Sequence, residues 1–172
     1  KDRMKTIPAA FLRSARWHPF RHFMADQNSE GITVFSALTK CLFLCRRLRP
    51  HWESQDRVGI LLPPSIAGVL VNFSAWFLGK TPVNLNYTLS VDALESCIRQ
   101  CDIRNVITSQ AFIEHLKLDL KTPLLHLEEV AKEPKTAEKL RSLCLATLCP
   151  FRWLSGSLGG DRPLHLDDFA TI

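Results

Sequence analysis

A chain of 172 residues with 46% hydrophobic and 23% charged residues can bury a sizeable core, which excludes a disordered or low-complexity polypeptide. Its net charge of +5 rests on lysines and arginines scattered along the chain rather than on a basic face interleaved with aromatics, so nucleic acid is not an expected partner. The positive excess still admits peripheral contact with an anionic membrane surface.

In chain order, Thr6–Ala15 reads as a short helix, with Pro8 tolerated in the first turn and Phe11, Leu12 and Ala15 on one apolar stripe. Trp17, His18 and Pro19 turn the chain. Phe20–Asp26 and Ile32–Val34 then read as a small hairpin about a polar turn. His18 and His22 are separated by a proline and cannot share a helical face, so they read as surface histidines rather than as a metal pair. Thr33 can cap the next helix, which presents Leu38, Cys41, Leu42, Cys45 and Leu48 at helical spacing and is expected to stop before Pro50. Arg46, Arg47 and Arg49 at its end complement the helix dipole.

The organising unit is RVGILLPPSIAGVLVNFSAWFLGKTPVNLN, from Arg57 to Asn86. Val58–Leu62 is a short apolar run suited to a strand covered on both faces, ended by Pro63 and Pro64. Ser65 can cap a largely buried helix over Ile66–Leu78, Gly79 can end it, and Pro82–Leu85 starts a second strand parallel to the first. Val58–Gly79 has no charge and is long enough to cross a bilayer, but the paired prolines would break a helix in lipid.

Ser90 caps a further helix with Val91, Leu94, Ile98 and Cys101 inward and Asp92, Glu95 and Arg99 outward. Val106–Thr108, Gln110–Leu118 and Leu124–Leu127 continue as strand, helix and strand, and Glu133–Leu148 as an amphipathic or interface helix. The alternation predicts an α/β fold: a mainly parallel, doubly wound sheet with helices on both faces, preceded by the small helix and hairpin. Ligands in such sheets lie beyond the carboxyl ends of the strands, which makes Asn84, Asn86 and Tyr87 candidate substrate-side residues. Asparagine also serves at strand ends for structural reasons, so that role stands beside the ligand role.

The six cysteines form no CxxC, and the pairs Cys41/Cys45 and Cys97/Cys101 lie at helical spacing as small buried hydrophobes, predicting free thiols and a reducing, cytoplasmic setting. The glycine run Ser155–Pro163 lacks the preceding strand, the following helix and the lysine of a phosphate cradle and reads as a connector. Asp167 and Asp168 have no acidic neighbour to complete a metal site and stand at the start of a strand running toward Ile172.

The stretch RVGILLPPSIAGVLVNFSAWFLGKTPVNLNYTLSVDALESCIRQCDIRNVITS resembles the opening segment of the adenylate-forming, AMP-binding acyl ligases, and LDDFATI resembles the segment just before that family's hydroxyl-rich phosphate loop. The resemblance runs from about Phe11 to Ile172 and is nearest to long-chain acyl-acyl carrier protein synthetases, including those fused to a lysophospholipid acyltransferase. It implies two steps: acyl-AMP from a carboxylate and ATP with magnesium, then transfer to the thiol of coenzyme A or acyl carrier protein. It implies that 1–150 is the N-terminal α/β subdomain of a larger adenylation domain and 151–172 a connector with the strand leading to the phosphate loop. That loop would begin after Ile172, so no family catalytic or cofactor residue maps here, tight ATP binding by this stretch is not expected, and the remainder of the adenylation domain is its first partner. Two other classes fit the same sheet. A nucleotide-binding regulatory module would need a glycine fingerprint where Pro63, Pro64, Ser65 and Ile66 stand; a non-catalytic partner-binding domain would not.

Overall fold

The computed structural model describes residues 6–27, 29–132 and 144. The elements are α1 (Ile7–Trp17), β1 (His22–Asp26), β2 (Ser29–Thr33), α2 (Val34–Trp52), β3 (Arg57–Leu61), α3 (Ile66–Phe77), β4 (Thr81–Asn84), α4 (Val91–Gln100), β5 (Val106–Thr108), α5 (Gln110–Leu116), β6 (Leu124–His126) and α6 (Leu127–Val130). β1 and β2 form an antiparallel hairpin, and the other four strands form a parallel sheet in the order β4-β3-β5-β6. Helix, hairpin and parallel sheet follow one another as the sequence predicts.

Local chemistry explains the central unit. Ser65 Oγ accepts from the Gly68 N–H at 3.2 Å and starts α3. At the other end Gly79 takes φ +69°, and the N–H groups of Gly79 and Lys80 return to the carbonyls of Trp76 and Ala75 at 3.0 and 2.9 Å. That pair of bonds is a Schellman cap, which needs a left-handed residue and so favours glycine. The uncharged stretch that could have crossed a bilayer is thereby divided into β3 and α3, and no helix among the described residues is long and apolar enough to cross a membrane.

Several details differ from expectation: Trp17 ends α1 rather than turning the chain, β1 starts at His22 rather than Phe20, α5 ends at Leu116 and β6 at His126. α2 does not stop before Pro50 but runs to Trp52. A proline in the last turn forfeits one bond, to the carbonyl of exposed Arg46, while Trp52 is 0% exposed and anchors the end of the helix in the core. The returning strand of the hairpin is Ser29–Thr33 rather than Ile32–Val34, because Val34 is already the first residue of the helix capped by Thr33 Oγ1. β4 pairs only with β3 among the described residues, so it is an edge strand of this sheet and the inner pair is β3 and β5. The expected helix over Glu133–Leu148, the glycine run, the Asp167/Asp168 pair and the boundary at 150 lie outside the described residues, apart from Cys144, which is helical and exposed.

β3 serves two cores by alternation. Val58 and Ile60 face a cluster with α1, α2 and α3, and Leu61 faces a second with α4, Ile103 and Val106. Helices therefore cover both faces of the sheet. On the first face α2 and α3 pack through small residues, with Ala37 and Ala75 fully buried. Here the thiols of Cys41 and Cys45 donate to the carbonyls of Leu70 and Ser74 at 3.7 and 3.5 Å, and the Ser74 hydroxyl donates to Leu70 O at 2.7 Å. Burial pushes the Cys45 thiol up to about 12 against the weaker pull of its Ser74 bond. Burial, reinforced by Cys45 nearby, also raises Cys41.

Two outcomes follow from this packing. A Cβ at Gly59 would stand 2.9 Å from Val106 Cγ2 and 3.0 Å from Ile103 Cγ2, both on stiff branched side chains, so Gly59→Ala should lower stability by about 1–3 kcal/mol in denaturant titrations. The folded state also keeps thiol protons that the unfolded chain releases above its ordinary value of about 9, so stability is intact below that pH and falls as pH rises toward 12. The slope should approach about 1.4 kcal/mol per pH unit for each such thiol. Denaturant midpoints measured across that range check it, and a flat profile in the native sequence would count against it.

Candidate functional site at the carboxyl edge of the sheet

In a doubly wound sheet the ligand crevice opens where successive crossovers leave in opposite directions. β3 passes through α3 to β4 on one side, and β4 passes through α4 back across to β5 on the other, so the switch point lies between the carboxyl ends of β3 and β5. There the buried Thr108 hydroxyl donates to Leu61 O at 2.7 Å and ties the two strand ends together. Leu62, Pro63 and Pro64 follow β3, and Ser109 follows β5, where its Oγ accepts from the Phe112 N–H at 3.1 Å to start α5.

Each helix N-terminus along this edge has a carboxylate from the chain itself. The Ile66 N–H at the start of α3 donates to Asp26 Oδ2 at 3.1 Å, from the hairpin. The Gln110 N–H at the start of α5 donates to both carboxylate oxygens of Glu128, at 3.2 and 3.1 Å. α4 has Asp92 in its first turn. Backbone donors at a helix N-terminus bind phosphate when they are open and unopposed; here two of the three are taken and all three are negatively charged. Among the described residues no three His, Cys, Asp or Glu side chains group as metal ligands.

The three sequence candidates lie on one rim of the edge, beyond β4. Asn84 and Asn72 of α3 form a reciprocal amide pair, 3.1 Å in one direction and 3.0 Å in the other, and Asn72 also donates to Gly68 O at 2.9 Å. Asn86 Oδ1 accepts from the Thr88 N–H at 3.0 Å and the Thr88 hydroxyl at 2.8 Å, closing an Asx turn. Tyr87 stands edge-on to Phe112 of α5 with ring centroids 5.3 Å apart. The rim is built, with Tyr87, Leu89 and Val69 all exposed around it.

Asp26, Asn72 and Glu128 had no signal in the sequence, because each acts on a backbone or amide 12 to 40 residues away. Glu95 is also misplaced by periodicity. Expected to point to solvent, it is half-buried and accepts from the N–H groups of Lys121 and Thr122 at 2.6 and 3.1 Å and from the Thr122 hydroxyl at 3.0 Å. Burial opposes its ionisation, but those bonds and the Arg99 charge outweigh it and hold the carboxyl below its usual value.

Sheet order, switch point and hairpin together define a doubly wound α/β fold. The particular family follows from sequence: residues 11–172 match the AMP-binding enzyme model, and the chain belongs to that family of adenylate-forming ligases. Among solved structures, VinN is 19% identical with a TM-score of 0.68, covering 96% of this chain and 40% of its own. Holo-AB3403, a four-domain nonribosomal peptide synthetase bound to AMP and glycine, is 17% identical with a TM-score of 0.63 over 83% of this chain and 10% of its own. The o-succinylbenzoate coenzyme A synthetase MenE of Bacillus subtilis, in complex with ATP and magnesium, is 18% identical with a TM-score of 0.63 over 72% of this chain and 34% of its own. The chain thus spans well under half the length of each, and the fold is common to ligases of different substrates.

Asp26 gives the edge a direct check. Asp26→Ala removes the acceptor and the charge from the N-terminus of α3 and should cost about 0.5–2 kcal/mol in chemical denaturation.

Proposed function

We propose that the chain is the first subdomain of an ATP-dependent ligase that joins a fatty acid to AMP and then passes the acyl group to the thiol of coenzyme A or acyl carrier protein in the cytoplasm. The observation that supports it is the family match over residues 11–172 on a sheet wound as that family's is. On this reading 1–150 is the α/β subdomain, 151–172 leads toward the phosphate loop, and the carboxyl edge is the wall against which the remainder of the adenylation domain closes. ATP and magnesium supply the activated phosphate of the first step when bound. On this reading the chain's own part is a rim whose Asn84, Asn86 and Tyr87 meet the carboxylate substrate, a reading supported by their position at the carboxyl end of β4, while Asp26, Asp92 and Glu128 disfavour phosphate at the helix ends.

Pyrophosphate exchange with ATP and a panel of carboxylic acids tests this. The 172-residue chain alone should be silent, and a longer chain extending through the phosphate loop should exchange with fatty acids. Exchange by the short chain would overturn the division of labour; exchange with amino acids or aryl acids but not fatty acids would overturn the substrate class. In the longer chain Tyr87→Ala should raise KM for the fatty acid with kcat little changed.

A further inference from the structure

The most exposed large hydrophobic side chains among the described residues are close together in the chain: Trp17 is 73% exposed and Phe20 is 83% exposed. They flank the turn between α1 and β1, and Ile7, at the other end of the outer stripe of α1, is 45% exposed. The turn is held, not loose. His18 N–H donates to Ser14 O at 2.8 Å, Arg21 N–H to His18 O at 3.2 Å, and the Phe35 N–H of α2 to Pro19 O at 3.0 Å. Among the described residues no ring contact of the two aromatics is found, and leaving them in water has a cost without a packing return.

The charged residues near them in sequence are of one sign. Arg16 and Arg21, both exposed, bracket the aromatics, and no acidic residue occurs from 6 to 25. The next one, Asp26, is turned inward to the Ile66 N–H. Aromatic tips set beside arginines at the end of an amphipathic helix are the composition of an interfacial membrane anchor: the rings sit at headgroup depth and the guanidinium groups meet lipid phosphates. A protein partner fits less well. Two aromatic side chains offer about 150–250 Å² each, against about 800 Å² per partner in a standard interface.

We propose that the α1–β1 turn, through Trp17, Phe20, Arg16 and Arg21, docks the protein on an anionic phospholipid surface. The test uses the full-length protein that contains this chain and sucrose-loaded vesicles of phosphatidylcholine with or without phosphatidylglycerol. Sedimentation should require phosphatidylglycerol, weaken with salt, and fall at least tenfold in partition coefficient in both Trp17→Ser/Phe20→Ser and Arg16→Glu/Arg21→Glu. Tryptophan quenching by brominated phosphatidylglycerol should be greater in the native sequence than in Trp17→Phe, a readout that holds even if another segment also binds lipid. Equal quenching in the two would overturn the proposal. So would concentration-dependent self-association abolished by Trp17→Ser/Phe20→Ser without any change in sedimentation, which would make the turn a contact between copies of the chain.

Discussion

Strand β3 is hydrogen-bonded on both edges and covered on both faces, and that double burial is the constraint from which the rest of the arrangement follows. A strand so placed has no solvent side on which to put a polar residue, so its alternation distinguishes one core from another rather than inside from outside. Val58 and Ile60 fill the layer beneath α2 and α3, and Leu61 that beneath α4. Gly59 shares the second face because Val106 of β5 and Ile103, in the connection from α4, approach too closely there for a side chain. The two layers therefore cannot be repacked independently.

This is also why the middle of the fold was legible in the sequence and its connections were not. A continuous apolar run, a serine before a second apolar run and a glycine after it are local signals, and β3, α3 and the cap at Gly79 follow them within a residue. Strand order is different: whether β4 lies inside or at an edge depends on which side the next crossover passes, and no pattern within β4 encodes that. Pro50 misleads for a similar reason. Its local preference is to end a helix, and a buried tryptophan two residues later overrides it through tertiary packing.

At the carboxyl edge the position of the rim was readable, because Asn84, Asn86 and Tyr87 follow a recognisable strand. Their partners were not. Asn84 meets Asn72 across a helix, and Tyr87 meets Phe112 from a later crossover. The carboxylates at the helix ends are the more consequential surprise. A nucleotide-binding sheet ordinarily leaves the first helix N-terminus open, whereas here the hairpin delivers Asp26 to it. The edge has the topology of a phosphate site, yet its helix N-termini carry carboxylates from the chain itself.

The same Asp26 bond has a mechanical side. The turn bearing Trp17 and Phe20 is tied to α2 through the Phe35 N–H, and the hairpin that follows is tied to the start of α3 through Ile66. α2 and α3 are joined by the thiols of Cys41 and Cys45 and by the Ser74 hydroxyl, which also donates to Cys41 O at 3.4 Å, and α3 reaches the rim through the Asn72–Asn84 pair. Each of these links is a hydrogen bond between packed elements. A surface that held the turn would consequently also fix the orientation of the rim.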